Sequence, residues 1–246
     1  MAEFRGLHYS TTIRPREPVA RLSVLAAGAI VRGVEAFARL AQREAGIALE
    51  PQFGNGTRIV RRLEAGESFD VLIAAPSAIE AASKLGRLVA GTIAPVGRVD
   101  IGAFVAASSP LPDVSTTEAL RQAILAADEV VYNTATSGTR VDEMLAEIGV
   151  RDAMAAKIVR GPGGPSVMQR VARARVSGLG FGAITEILAS RSLGLKLAGA
   201  LPGELRPYVA YSAAIMTGPN DALGRKLLDL IASPAGKAAF ARAGVE

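Results

Sequence analysis

The chain lacks cysteine and tryptophan and has a single histidine, His8. The lack of cysteine excludes disulfides, thiolate nucleophiles and cysteine-ligated metals. One histidine, in a polar N-terminal arm, argues against a histidine-based metal site and against a Ser-His-Asp triad. We therefore expect neither a bound metal nor a cofactor.

Aromatic residues are also scarce, at 4% of the chain, although half of its residues are hydrophobic. The core must then consist of Ala, Val, Leu and Ile, which is typical of parallel sheets covered by helices on both faces. No apolar run approaches the ~20 residues that cross a bilayer, so we expect no membrane span. The first 20 residues are polar, and the sequence as it stands predicts no signal peptide.

The formal net charge is +5, but the basic residues are dispersed along the chain. A nucleic-acid-binding surface would show a basic stripe interleaved with aromatic residues, and no such stripe is visible. The pattern indicates solvated helix faces, with one or two arginines directed at an anion.

Segments of strand and helix character alternate along the chain, which predicts a doubly wound α/β architecture. Predicted strands cover residues 20–26, 48–53, 69–74, 99–107, 129–133, 158–159, 179–182 and 207–216. Predicted helices cover residues 29–44, 57–65, 77–85, 116–127, 138–148, 166–176, 185–191, 221–232 and 235–243. The last two helices follow the last strand, so we expect this tail to pack back on the first half of the chain.

This arrangement predicts two lobes, each a doubly wound mixed sheet. The first lobe would comprise residues 1–102 and 208–246, and the second, inserted lobe residues 103–207. Two long strands would cross between the lobes and act as a hinge, with a ligand at the carboxyl ends of the strands.

Four turns rich in glycine or hydroxyl residues end a predicted strand and open directly into a predicted helix. They cover residues 26–28, 54–57, 134–139 and 161–166. The first N–H groups of a helix have no intrahelical partner and lie at the positive end of its dipole. Four such turns in both halves of one chain predict a pocket for an anion.

The residues of the first two turns resemble those of periplasmic molybdate-binding proteins, which are type II solute-binding proteins. The resemblance is carried by residues 25–29 (LAAGA), 53–66 (FGNGTRIVRRLEAG) and 69–75 (FDVLIAA), and it extends from about residue 22 to the C-terminal tail. It implies the two-lobed fold predicted above. It also implies a periplasmic location and a transporter of the ABC type as partner. If the polar N-terminus is native, the expected location is the cytoplasm instead.

The same resemblance implies side-chain donors that this chain lacks. Two serines and one tyrosine hold the tetrahedral oxyanion in that family, and they correspond here to Gly28, about Gly56 and about Ala183. We therefore expect a ligand other than molybdate or tungstate.

Other polar side chains stand near the turns. Arg58 and Arg140 each follow a turn closely, and the arginine fork matches a carboxylate with two parallel hydrogen bonds. The alternative for these residues is that the hydroxyls only cap helices and the arginines face solvent. The predicted ligand-binding residues are Ala27, Gly28, Asn55, Gly56, Thr57, Arg58, Thr136, Ser137, Gly138, Thr139, Arg140, Ser166 and Val167.

Two main functions fit these observations, with a ligand-sensing module for a partner protein as a third. The first is a solute-binding protein that closes on a small anion, more a carboxylate than molybdate. The second is an enzyme on the same scaffold, since chains resembling this family include aconitate isomerases, which shift a proton in a tricarboxylate. Its base would be Glu186 or Tyr132, with Tyr208 and Tyr211 as further candidates that spacing does not separate.

Overall fold

The computed structural model describes residues 20–174, 176–205 and 207–246. His8 and nearly all of the polar N-terminal segment lie outside the described residues. Within these ranges no helix combines the length and the apolar character that a bilayer crossing requires.

The first part of the chain alternates strand and helix as the sequence predicts. Buried strands such as β3 are continuously apolar, and Gly46, with φ of 67°, ends α1 in the left-handed region that favours glycine. Pro76 occupies the first turn of α3, where its missing N–H costs nothing. The elements are β1 (Ala20–Ala27), α1 (Val31–Ala45), β2 (Ile47–Gly54), α2 (Gly56–Glu64), β3 (Val71–Ala74), α3 (Pro76–Lys84) and β4 (Ala94–Ala106).

The rest of the chain adds a second set of strands and helices and a helical tail. A short 3-10 turn, Gly28–Ile30, connects β1 to α1 in the first set. The remaining elements are α4 (Thr117–Ala126), β5 (Glu129–Asn133), α5 (Thr136–Glu147), β6 (Ile158–Gly161), α6 (Gly164–Arg173), β7 (Gly178–Ala183), α7 (Ile184–Ala189), β8 (Leu195–Ala200), β9 (Tyr208–Ile215), α8 (Asp221–Ala232) and α9 (Pro234–Ala241).

The described strands are arranged in the order β2-β1-β3-β9-β4-β7-β5-β6, with β8 also paired to β4. The pairs β1–β2, β1–β3, β5–β6 and β5–β7 are parallel, whereas β9 and β4 introduce antiparallel pairs. Strand β4 pairs with β9 over its first half and with β7 and β8 over its second. It therefore runs through both halves of the molecule.

The buried side chains form separate hydrophobic clusters on either side of β4. One cluster joins residues 22–99 to residues 209–245, with Ala183 as its one member from elsewhere, and two more draw on residues 101–205. We call residues 20–100 with 208–246 the first region, and residues 101–205 the second region. This separation is consistent with the predicted lobes, whose boundaries remain a prediction.

The C-terminal tail packs on the first region. Phe37 of α1 and Phe240 of α9 stack with their ring centroids 5.2 Å apart, and both are fully buried. Such a pair stabilises the fold by about 0.5–1.5 kcal/mol beyond the contribution of the apolar area that it buries. The tail thus helps to cover the sheet whose strands begin the chain.

Two strands depart from the sequence prediction. Strand β8 was not predicted, because its residues are mostly half-buried and Gly199 interrupts the apolar pattern. Strand β4 begins at Ala94, earlier than the predicted 99, because Pro95 and Gly97 indicate a loop by composition. The structure accommodates them at a register shift against β9.

Candidate functional site

A cavity of about 300 Å³ lies between the two regions, at the carboxyl ends of the parallel strands. This is where ligands bind in open α/β sheets. Its lining from the first region is Ala27, Gly28, Ala29, Phe53, Gly54, Asn55, Gly56, Arg58, Ile59, Ala74, Ala75, Ala78 and Tyr211. Its lining from the second region is Asn133, Ala135, Thr136, Ser137, Gly164, Pro165 and Glu186.

The four predicted turns meet at this cavity, together with a fifth. The starts of α2, α5 and α6 and the 3-10 turn before α1 contribute lining residues. The fifth junction, Ala74–Ala75 before α3, was not predicted because it contains neither glycine nor a hydroxyl. Several helix N-termini therefore present positive dipole ends to one space.

Asn55 joins the two regions across the mouth of the cavity. Its Oδ1 accepts a hydrogen bond from the backbone N–H of Arg58 at 2.8 Å and so caps α2. Its Nδ2 donates to the carbonyl oxygen of Pro162 at 2.8 Å, in the second region. One side chain therefore starts a helix and holds the cavity closed.

Asn133 organises the second-region wall. It is 3% exposed, and its Oδ1 accepts from the N–H groups of Ala135 (2.8 Å) and Gly138 (3.1 Å) at the start of α5. Its Nδ2 donates to the Ser137 hydroxyl at 2.8 Å. The Ser137 hydroxyl thereby accepts from Asn133, and its own hydrogen remains for a ligand.

Arg58 supplies the positive side chain of the cavity. Its aliphatic stem lies against Gly54, where an added Cβ would meet it at 3.4 Å. No carboxylate of the described residues lies within ion-pair distance of its guanidinium. The charge is therefore available to an anion.

Glu186 and Tyr211 form a second polar end of the cavity. Burial raises the pKa of the Glu186 carboxyl to about 7. Tyr211 is 5% exposed, and burial, followed by the nearby charge of Glu186, raises the pKa of its hydroxyl above the ordinary value. Neither the Glu186 carboxyl nor the Tyr211 hydroxyl has a hydrogen-bond partner among the described residues. Every fully buried side-chain N or O of those residues does have one, so both groups are in contact with the open space of the cavity.

Eight predicted site residues lie outside this cavity, among them Tyr208, whose ring packs against the Arg98 guanidinium. Arg140 pairs with Glu143 at 2.8 Å and is half-exposed, because α5 turns it outward. Tyr132 is buried, and its hydroxyl donates to Asp142 at 2.7 Å, on the far side of β5. Thr57, Thr139 and Arg140 line an outer groove, Gly138 and Val167 are buried under their helices, and Ser166 bonds back to Gly163.

The remaining predicted residues line the cavity, and several lining residues were not predicted. Those brought together are Ala27, Gly28, Asn55, Gly56, Arg58, Thr136, Ser137, Glu186 and Tyr211. Asn133 was missed because it was read as the end of a strand, although an asparagine before Thr-Ala-Thr-Ser-Gly is a capping signal. No group of three potential metal-ligating side chains occurs in the described part of the chain.

The chain is similar to known proteins over nearly its whole described length. The family model of bacterial extracellular solute-binding proteins matches residues 22–246. A curated relative, aconitate isomerase of a Pseudomonas species, is 29% identical over 237 residues, or 91% of this chain and 87% of the relative.

Solved structures share the fold at low identity. The periplasmic molybdate-binding protein of Azotobacter vinelandii matches with a TM-score of 0.74 and 18% identity, covering 92% of this chain and 98% of its own. The sulfate-binding protein of Mycobacterium tuberculosis matches with a TM-score of 0.71 and 12% identity, covering 92% and 86%. These matches confirm the predicted fold class. The family match confirms the resemblance found in the sequence: the chain belongs to the bacterial extracellular solute-binding protein family.

Proposed function

We propose that the protein binds a small organic anion with at least two carboxylates, rather than molybdate. The observation that carries this proposal is the composition of the cavity. It joins an arginine without an ion-pair partner among the described residues to several helix N-termini, while Gly28 and Gly56 lack hydroxyls. Arg58 can engage a carboxylate through two parallel hydrogen bonds.

The size and the walls of the cavity favour the same ligand class. About 300 Å³ holds roughly ten water-sized groups, more than a five-atom oxyanion needs. Much of the first-region wall is methyl groups, which suit a hydrocarbon skeleton between carboxylates. These groups belong to Ala27, Ala29, Ala74, Ala75 and Ala78.

The available interactions suffice for useful affinity. Each helix N-terminus contributes roughly 0.3–1 kcal/mol toward an anion, and each charge-assisted hydrogen bond roughly 1.5–3 kcal/mol. Several together reach the ~8 kcal/mol of micromolar binding after ordering costs. Delivery of the bound anion to a membrane transporter of the ABC type would follow from family membership and belongs to this proposal.

Titration calorimetry with a panel of anions tests the proposal. Succinate, citrate and trans-aconitate represent carboxylates, and molybdate, tungstate and sulfate represent tetrahedral oxyanions. We expect micromolar binding of at least one carboxylate, accompanied by a higher melting temperature. Tighter binding of molybdate than of every carboxylate would overturn it.

A second candidate function is a proton-shifting isomerase acting on a tricarboxylate. It is favoured by Glu186, a carboxyl group in the cavity whose pKa of about 7 suits a general base. Its carboxylate would take a proton from a carbon beside a substrate carboxylate and return it to another carbon as the double bond moves. The aconitate isomerase relative supports this candidate.

Proton NMR in D2O separates the two candidates. An isomerase converts cis- or trans-aconitate to a new isomer with deuterium incorporated. A binding protein leaves both compounds unchanged during long incubation at high protein concentration.

A further inference from the structure

Glu186 occupies the cavity wall without a hydrogen-bond partner among the described residues. It projects from α7 against the first turn of α6, where a methyl group on Gly164 would meet its carboxyl carbon at 2.7 Å. The next residue of that turn is Pro165, which has no N–H to donate. Although Gly164 and Ser166 each have an N–H, no N–H of this turn donates to the carboxyl among the described residues.

Few charged groups surround Glu186 on the neighbouring elements. Tyr211 of β9 and Arg58 of α2 line the same cavity. The 3-10 turn Gly28–Ile30 and strand β7 contain no titratable residue.

The other titratable residues of the elements packed against α7 are directed elsewhere or exposed. Lys196 of β8 donates to the carbonyl oxygen of Ser109 at 2.7 Å, and Arg98 of β4 lies over the ring of Tyr208. Asp100 of β4, Arg191 after α7 and Arg173 of α6 are exposed. Arg170 of α6 pairs with Glu129. No cation of these elements therefore pairs with Glu186.

We infer that Glu186 enters the complex as a neutral carboxylic acid and donates its O–H to a carboxylate oxygen of the bound anion, so that binding takes up one proton from solvent. This inference rests on the proposed carboxylate-binding function. It makes Glu186 a specificity-determining residue, because the neutral acid favours a ligand oxygen that accepts a hydrogen bond. The same residue in its ionised form would repel the anion.

The direction of the pH effect follows from the state of the empty site. With a pKa of about 7, Glu186 is largely protonated below pH 6 and largely ionised above pH 8. An arriving anion raises the pKa of Glu186 further, since like charges disfavour the ionised form. The affinity for the anion should therefore be constant at low pH and fall as the pH rises above about 7, with a decrease that approaches tenfold per pH unit.

Calorimetry with trans-aconitate at pH 6 and pH 8 tests the inference. At each pH the titration is run in two buffers of different ionisation enthalpy, and the difference in heat gives the number of protons taken up. We expect nearly one proton at pH 8 and far fewer at pH 6. This measurement on the unaltered protein needs no variant to fold.

Two substitutions assign the proton to its residue. Glu186→Gln keeps a hydrogen-bond donor but cannot titrate. The affinity of this variant for trans-aconitate should therefore not change from pH 6 to 8.5, and binding should take up no proton. Glu143→Gln, a matched change outside the cavity, should keep both the uptake and the pH dependence.

Each outcome bears on a distinct claim. Binding of trans-aconitate without proton uptake at pH 8, or uptake that persists in Glu186→Gln, overturns the inference alone. No binding of trans-aconitate or any other carboxylate of the panel at either pH overturns the proposed function and the inference with it.

Discussion

Arg58 is the residue on which the choice of ligand most depends. The residue lines the cavity, its stem lies against Gly54, and its charge is also close enough to Glu67 to lower the pKa of that carboxyl. Arg140 looks equivalent in sequence, since it also follows a hydroxyl-rich turn. Its ion pair with Glu143 directs it to the outside of α5 instead.

Paired alanine substitutions should separate the two arginines. Arg58→Ala should raise the Kd for trans-aconitate at least tenfold, because a charge-assisted hydrogen bond contributes about 1.5–3 kcal/mol. Arg140→Ala, on an exposed helix face, should change the Kd less than about twofold. Calorimetry gives both values, and matching thermal melts show that the folds are intact. Equal losses in the two variants would place Arg140 in contact with the ligand.

Sequence reasoning located most of the polar residues of the cavity. Asn55, Arg58 and Ser137 were found because glycine-rich turns before helices are recognisable in any chain. The direction of a side chain is harder to predict: Arg140 and Tyr132 belong to elements that reach the cavity, but their side chains lie outside it. That choice depends on partners such as Glu143 and Asp142, which the packing of α5 brings close.

Helix α2 connects its own stability to closure of the cavity through its cap. Asn55 satisfies the N–H of Arg58 and also reaches Pro162, 107 residues later in the chain. The glycine after Pro162 allows this approach, since a Cβ on Gly163 would lie 2.9 Å from Asn55 Nδ2. The cap and the bridge can be separated by substitution.

Asn55→Ser should keep the cap and lose the bridge. Serine is about as good an N-cap as asparagine, but its hydroxyl is too short to reach Pro162. We expect an almost unchanged melting temperature and about two- to tenfold weaker carboxylate binding, the loss expected for one hydrogen bond. Asn55→Ala should show the same binding loss and lower stability as well. Unchanged affinity in both variants would mean that the bridge does not stabilise the complex.

The secondary structure was largely predictable, and its failures have local causes. Helices α1 and α5 were found from apolar spacing, and the tail helices from the Ser-Pro pair between them. Strand β8 is short and contains a lysine and a glycine, and it owes its place to pairing with residues 102–106 of β4. Such long-range pairing leaves no mark in a short stretch of sequence.

At the scale of the whole molecule, two side-chain hydrogen bonds of the described residues join the two regions. Besides the Asn55 bridge, the Thr185 hydroxyl donates to the carbonyl oxygen of Ala29 at 2.6 Å. Thr185 lies next to Glu186, and Ala29 lines the cavity. The Glu186 carboxyl therefore lies close to a contact between the two regions.

The stability of the empty protein should depend on pH through Glu186. Its pKa is raised from 4.5 to about 7 by folding, so the folded state holds the proton more tightly than the unfolded chain. Its stabilising contribution is complete below pH 4.5 and is lost as pH rises through 7. The complete loss is roughly 3 kcal/mol, at about 1.36 kcal/mol per pKa unit.

Urea unfolding of the wild type and Glu186→Gln at pH 5 and pH 8 measures this contribution. Because other groups titrate alike in both proteins, the difference between them isolates Glu186. The free energy of unfolding of the variant, relative to that of the wild type, should increase by roughly 2 kcal/mol or more between pH 5 and pH 8. A difference that does not vary with pH would mean that the carboxyl is well solvated in the folded state.

The helix starts that surround the cavity have a consequence for its empty state. The N-termini of helices from the two regions face each other across the cavity, and their partial positive charges repel each other when no anion lies between them. This repulsion disfavours the close approach of the two regions in the empty protein, and a bound anion would reduce it. A bound anion would therefore stabilise the arrangement in which these helix starts face each other.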